Sequence, residues 1–107
     1  MRLDGVRDEV AQVCRAAAEI VHRTLADRAY RVLLFGSWAS GGAGERSDID
    51  IGIAGPAPVD SAALCEIREA VENLPTVYTV DVVDLQRVDP DFRSVVMAGA
   101  IEVEGVA

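Results

Sequence analysis

Between Ile49 and Ile53 the chain reads IDIGI, a run that leaves its backbone little choice. β-Branched apolar residues at every second position suit a pleated strand with one buried face, because successive side chains point to opposite sides. Ile49, Ile51 and Ile53 therefore go inward, and Asp48 and Asp50 share the other face. Upstream, Val32, Leu33, Leu34 and Phe35 read as a buried strand, ended by a sharp Gly36-Ser37 turn and a glycine-laced loop. The whole stretch 31–53, RVLLFGSWASGGAGERSDIDIGI, is thus two strands around a loop. It sets two carboxylates beside a turn with free backbone N–H groups, a place that suits a divalent cation and the phosphates it carries.

The rest of the chain supplies packing. From Leu3 to about Arg28, the apolar positions Leu3, Val6, Val10, Val13, Ala17, Ile20 and Leu25 predict one long amphipathic helix lying on the sheet. Asp60 or Ser61 caps a second helix, whose buried side is Val59, Leu64, Ile67, Val71 and Leu74 and which stops before Pro75. Thr76 to Leu85 reads as a third strand with Asp81 in its middle; Asp84, three residues on, points to the opposite side. Asp89-Pro90 caps and opens a short helix with Phe92, Val95 and Val96 inside, and Ile101 and Val103 alternate with Glu102 and Glu104 in an edge strand. This order argues for an α+β fold, a small mixed β-sheet with helices packed against it. At 107 residues, 1–107 is a single domain by length.

Charge and composition exclude several classes of function. A formal net charge of −8 repels a phosphate backbone, which argues against long nucleic acid as a partner. No apolar run approaches a membrane span and the start has no apolar signal core, so a cytoplasmic protein without a membrane role is expected. Cys14 and Cys65 fall in helical patterns without framework spacing and read as reduced, core-facing thiols, and His22 reads as a surface residue.

Three other readings compete for the aspartate pair. Asp48-x-Asp50-x-Gly52 begins like a calcium loop, but the intervening isoleucines alternate as a strand and no Glu closes the loop at position twelve. A P-loop needs a Lys after the Gly-Ser turn, and none follows. A merely wet strand face is tolerable for an exposed pair, since repulsion at ~7 Å is about 0.6 kcal/mol in open water. Asp is a poor strand former, however, and two beside a glycine-rich loop make a local conflict of the kind that marks functional sites.

Gly36-Ser37, ten intervening residues, then Asp48-x-Asp50, with an apolar strand before and an Asp81-bearing strand after, resembles the minimal nucleotidyltransferases of the DNA polymerase beta-like superfamily. The resemblance implies the nucleotidyltransferase, polymerase beta-like palm fold. It also implies that Asp48 and Asp50 hold Mg²⁺ on a nucleoside triphosphate, that Gly36 and Ser37 hold its phosphates, and that Asp81 is the third catalytic and metal-binding carboxylate. Many relatives carry arginines where this chain has Trp38 and Ser40, which leaves Arg46, next to Ser47 and Asp48, as the cation of the nucleotide-binding loop. Trp38 either stacks on a base or lies under the loop. The closing stretch VYTVDVVDLQRVDPDFRSVVMAGAIEVEG resembles the tail of small members encoded beside a helical partner, a HEPN-type toxin or a nucleotidyltransferase substrate-binding protein. The expected function is Mg²⁺-dependent transfer of AMP from ATP to a hydroxyl of that partner, as the antitoxin of a HEPN pair. The alternative is a binding subunit that acts on its partner by contact alone.

Overall fold

The computed structural model describes residues 3–27 and 29–104. Its N-terminal pattern resolves into a single 3-10 turn, Leu3–Gly5, and helix α1, Asp8–Leu25. The expected unbroken helix from Leu3 is shorter because Gly5 is costly in a helix interior and Arg7, with φ −49° and ψ 134°, is extended. At its other end Ala26 turns left-handed (φ 53°) and donates its N–H to His22 O at 2.9 Å, a helix-stopping geometry. Arg28, the expected end, lies outside the described residues.

Strand β1 (Arg31–Phe35) leads through a one-turn helix α2 (Ser37–Ser40) and a loop to β2 (Ile49–Ala54). Then follow α3 (Ser61–Glu72), β3 (Val80–Asp84), α4 (Pro90–Gly99) and β4 (Ile101–Val103). The sheet order is β3-β2-β1-β4, with β1 antiparallel to β2 and β4, and β2 parallel to β3. The architecture is the expected α+β mixed sheet, with β4 on an edge. The capping residues act as read: Asp60 accepts from Ala63 N at 3.2 Å, and Asp89, before Pro90, accepts from Asp91 N at 2.8 Å.

One face of the sheet is fully covered. Ile49, Ile51 and Ile53 are buried there with Val32, Leu34 and Val82, against Val10, Cys14, Ala17 and Val21 of α1 and Leu64, Ile67 and Val71 of α3. Each fully buried isoleucine contributes roughly 1.5–3 kcal/mol. The other face carries a smaller cluster, Leu33 and Leu85 under Val96 of α4. Gly52 lies on that side, and a side chain there would press into Leu85 Cδ1 at 2.7 Å.

Four further sequence-based expectations need correction. Thr76–Thr79 are not strand: β2 begins at Ile49, whose N–H bonds Thr79 O at 2.9 Å, and Thr76 Oγ1 takes the N–H of Tyr78 at 3.1 Å in a local turn. Phe92 and Val95 are 46% and 73% exposed, because α4 reaches the sheet through Val96. Cys65 is exposed, standing one position past Leu64 and so turned away from the Leu64-Ile67-Val71 stripe. The Gly36-Ser37 turn continues into α2 rather than opening at once into loop. Cys14 is core-facing as expected, and burial pushes its thiol up to about 12.

The outward carbonyl of Val82 on edge strand β3 is taken by Arg68, from Nη2 at 2.9 Å and Nε at 3.2 Å. At the end of β3, Asp84 is 3% exposed and turned to the face opposite Asp81. Its Oδ2 accepts from Val59 N at 2.8 Å and Arg87 Nε at 3.0 Å, and its Oδ1 from Gln86 N at 3.1 Å and Gln86 Nε2 at 2.6 Å. This carboxylate therefore ties the segment before α3 to the end of β3. Asp84→Asn puts an amide donor among these donors and should destabilise the fold by about 2–3 kcal/mol, read as a lower urea midpoint at unchanged slope.

Candidate functional site

Strand register assembles the site. Phe35 on β1 stands opposite Asp50 on β2, and Asp50 stands beside Asp81 on β3, so three neighbouring positions face the same side at one end of the sheet. That is the side α1 and α3 leave uncovered. Asp50 is half-buried and Asp81 exposed; Asp48, expected on the strand beside Asp50, is instead exposed and lies just before β2 begins, where the chain is still leaving the glycine-rich loop.

Gly36 closes over this end. Its backbone, φ 75° and ψ −153°, is open to glycine and strained for other residues, and a Cβ there would overlap the Asp50 carboxylate. Gly36 O takes the N–H groups of Ala39 (3.1 Å) and Ser40 (3.0 Å), which leaves those of Ser37 and Trp38 at the open start of α2. The glycine thus lets backbone, rather than a side chain, lie against the carboxylate.

Asp50 reports the electrostatics. Burial first, then the carboxylates of Asp81 and Asp48, push its carboxyl above the ordinary value. None of the three is in an ion pair among the described residues. The donors are all carboxylate oxygen, which fits a hard divalent cation. As the side chains stand, no three such ligands among the described residues close on one point. A magnesium ion fits this arrangement, since it takes one or two protein carboxylates and completes its shell with water and substrate phosphate.

An open cleft of about 960 Å³ adjoins Asp50 and Asp81. Phe35 and Phe92, edge to face at 6.3 Å, line it together with β3, the 76–79 connector, and Arg68 and Glu72 of α3. The aromatic pair was not foreseen as part of the site. Helical spacing places Phe92 on an inner face with Val95 and Val96, and no local signal in the sequence marks it for the cleft. Gly36 borders Asp50, and neither it nor Ser37 lines the cleft.

The remaining candidates lie in the loop. Ser47 closes a turn, its Oγ accepting from Gly44 N at 2.8 Å and its N–H donating to Gly44 O at 3.2 Å; Arg46 is exposed at the tip. Trp38 lies under the loop, its indole N–H donating to Ser47 O at 2.8 Å and its ring edge-on to Tyr78.

Comparison with known proteins follows the same residues. Residues 20–103 match the family model "Polymerase beta, Nucleotidyltransferase". A solved structure described as a minimal nucleotidyltransferase is 30% identical, covering 94% of this chain and 95% of that one at a TM-score of 0.60. A toxin-antitoxin with AMP-PNP is 23% identical over 81% of this chain and 72% of that one, with a TM-score of 0.61. The tri-AMPylated Shewanella oneidensis HEPN toxin in complex with MNT antitoxin is 21% identical over 90% and 73%, with a TM-score of 0.60. These last two speak for the fold. No curated protein matches.

The Asp50 shift gives a stability test. A carboxyl raised in the folded state penalises folding when ionised, and the penalty fades as pH falls through the folded-state value. Without metal or nucleotide, Asp50→Asn should melt above wild type at pH 7, with the gap closing on acidification. A variant that melts lower at pH 7 would contradict the electrostatic account.

Proposed function

The chain belongs to the polymerase beta nucleotidyltransferase family, and from that premise we propose that it transfers AMP from ATP, with Mg²⁺, to a hydroxyl of a helical HEPN-type partner. In a toxin-antitoxin pair this makes it the antitoxin and a toxin tyrosine the acceptor. The observation that carries the reading is Asp50 beside Asp81 in register, with Gly36 backbone against the Asp50 carboxylate. Solved complexes of the same fold, one with AMP-PNP and one with a tri-AMPylated HEPN toxin, support the nucleotide and the partner class.

Each residue has a distinct task. Asp48 and Asp50 would hold Mg²⁺, which when bound supplies charge neutralisation and polarisation at the phosphates. The α2 start that follows Gly36 offers the backbone N–H groups of Ser37 and Trp38 to phosphate oxygens. Arg46 brings a positive charge to the same phosphates from the loop tip, and Ser47 keeps that turn closed. Asp81 receives the proton of the acceptor hydroxyl as its oxygen bonds to the α-phosphorus and pyrophosphate leaves. A tyrosine or serine hydroxyl needs that help, being a weak nucleophile at neutral pH.

Incubating the protein with ATP, Mg²⁺ and its helical partner should add AMP to the partner, seen by intact mass, and release pyrophosphate. Asp48→Asn and Asp50→Asn should each abolish nucleotide binding at millimolar Mg²⁺, and undiminished binding in both would remove the metal assignment. Asp81→Asn should keep MgATP binding but lose transfer by about 10²–10⁴. Asp84→Asn, assayed below its melting temperature, should change transfer far less. An unmodified but tightly bound partner in the presence of bound MgATP would point to neutralisation by contact.

A further inference from the structure

We infer that Trp38 is a positioning residue for Asp48, the latch that holds the glycine-rich loop so that this carboxylate meets the nucleotide's metal. The inference rests on the reading of the site given above. Asp48 lies outside the strand, so no ladder hydrogen bond fixes it. What fixes it are its two neighbours: Ser47, whose carbonyl accepts the Trp38 indole N–H at 2.8 Å, and Ile49, whose N–H donates to Thr79 O at 2.9 Å.

Both anchors meet in one stack. Trp38 packs edge-on against Tyr78, the residue before Thr79, with ring centroids 5.9 Å apart and planes at 87°. On Trp38 also lies the Arg7 guanidinium, 5.7 Å from the ring centroid, and Arg7 Nη1 donates to Tyr78 Oη at 3.3 Å. The stack therefore joins the start of α1, helix α2, the exit of the loop and the approach to β3, which carries Asp81. Gly41, Gly42 and Gly44 make the loop expensive to order. An indole both fills the space beneath it and supplies a donor for the Ser47 carbonyl; phenylalanine and leucine fill without donating.

The test is Trp38→Phe, which keeps a ring and deletes the donor. Backbone amides of Ser47 and Ile49, which bond Gly44 O and Thr79 O, should exchange with solvent about tenfold faster or more, while those of α1 and β1 keep their rates. Calorimetry should show MgATP binding weakened about 3- to 10-fold, the size of one lost hydrogen bond. In turnover the MgATP KM should rise by the same factor with kcat at saturation within about threefold. Tyr78→Leu, which leaves the indole bond but removes the ring that braces it, should give the same pattern at smaller size and serves where Trp38→Phe does not fold. Faster exchange spread over the whole chain, or unchanged MgATP affinity in a variant whose wild type binds, overturns the inference alone. A wild-type protein that binds no MgATP overturns the reading of the site and this inference with it.

Discussion

Burial of Ile49, Ile51 and Ile53 under α1 and α3 is the constraint from which the site follows. A strand that commits every second side chain to a core commits the others to the opposite face, and a shift of one residue would exchange the two sets. Asp50 is thereby held by three apolar anchors whose side chains lie on the opposite face. Register with β3 does the same for Asp81, through Val82. The hydrophobic face thus offsets the repulsion that accumulates on the other.

Asp50 and Asp84 show how the same side chain serves opposite ends. Asp84 is buried, accepts four hydrogen bonds and pairs with Arg87; its charge is satisfied and the fold gains from it. Asp50 is half-buried among like charges, and the fold bears a cost for its ionisation. A side chain whose charge is compensated by the protein has little left for a ligand, whereas one left uncompensated can be satisfied by an ion. The small cluster under α4 leaves room for this, because it covers Leu33 and Leu85 and stops short of Asp50.

Much of this was legible in the chain itself, wherever a local rule had no competitor. Alternation through β2, the caps at Asp60 and Asp89-Pro90, and the edge strand around Ile101 and Val103 follow from periodicity and hydrogen-bond chemistry over a few residues. Two of the failures share a cause, in that they depended on what lay across from the residue in space. Thr76–Thr79 have strand composition but no partner strand before Ile49 begins. Phe92 and Val95 have helical spacing but no second layer to receive them. The site divides in the same way. The pairing of Asp50 with Asp81 follows from two strands in parallel register, while the Phe35-Phe92 pair and the joining of Arg7, Trp38 and Tyr78 bring together residues far apart in the chain.

Arg68 gives the sheet an ending. A sheet edge invites pairing unless it is short, charged, or has backbone groups already occupied, and here each edge carries such a device. Strand β4 spans Ile101–Val103 and carries Glu102, tied to Arg31 at 2.7 Å. Strand β3 is longer, with β-branched residues at Val80, Val82 and Val83, and its outward carbonyl at Val82 is held by a guanidinium reaching from the next layer. A charged side chain fastened there makes the strand a poorer template for another. The open cleft beside Asp81 can then lie next to an unpaired strand whose edge is less open to pairing with another chain.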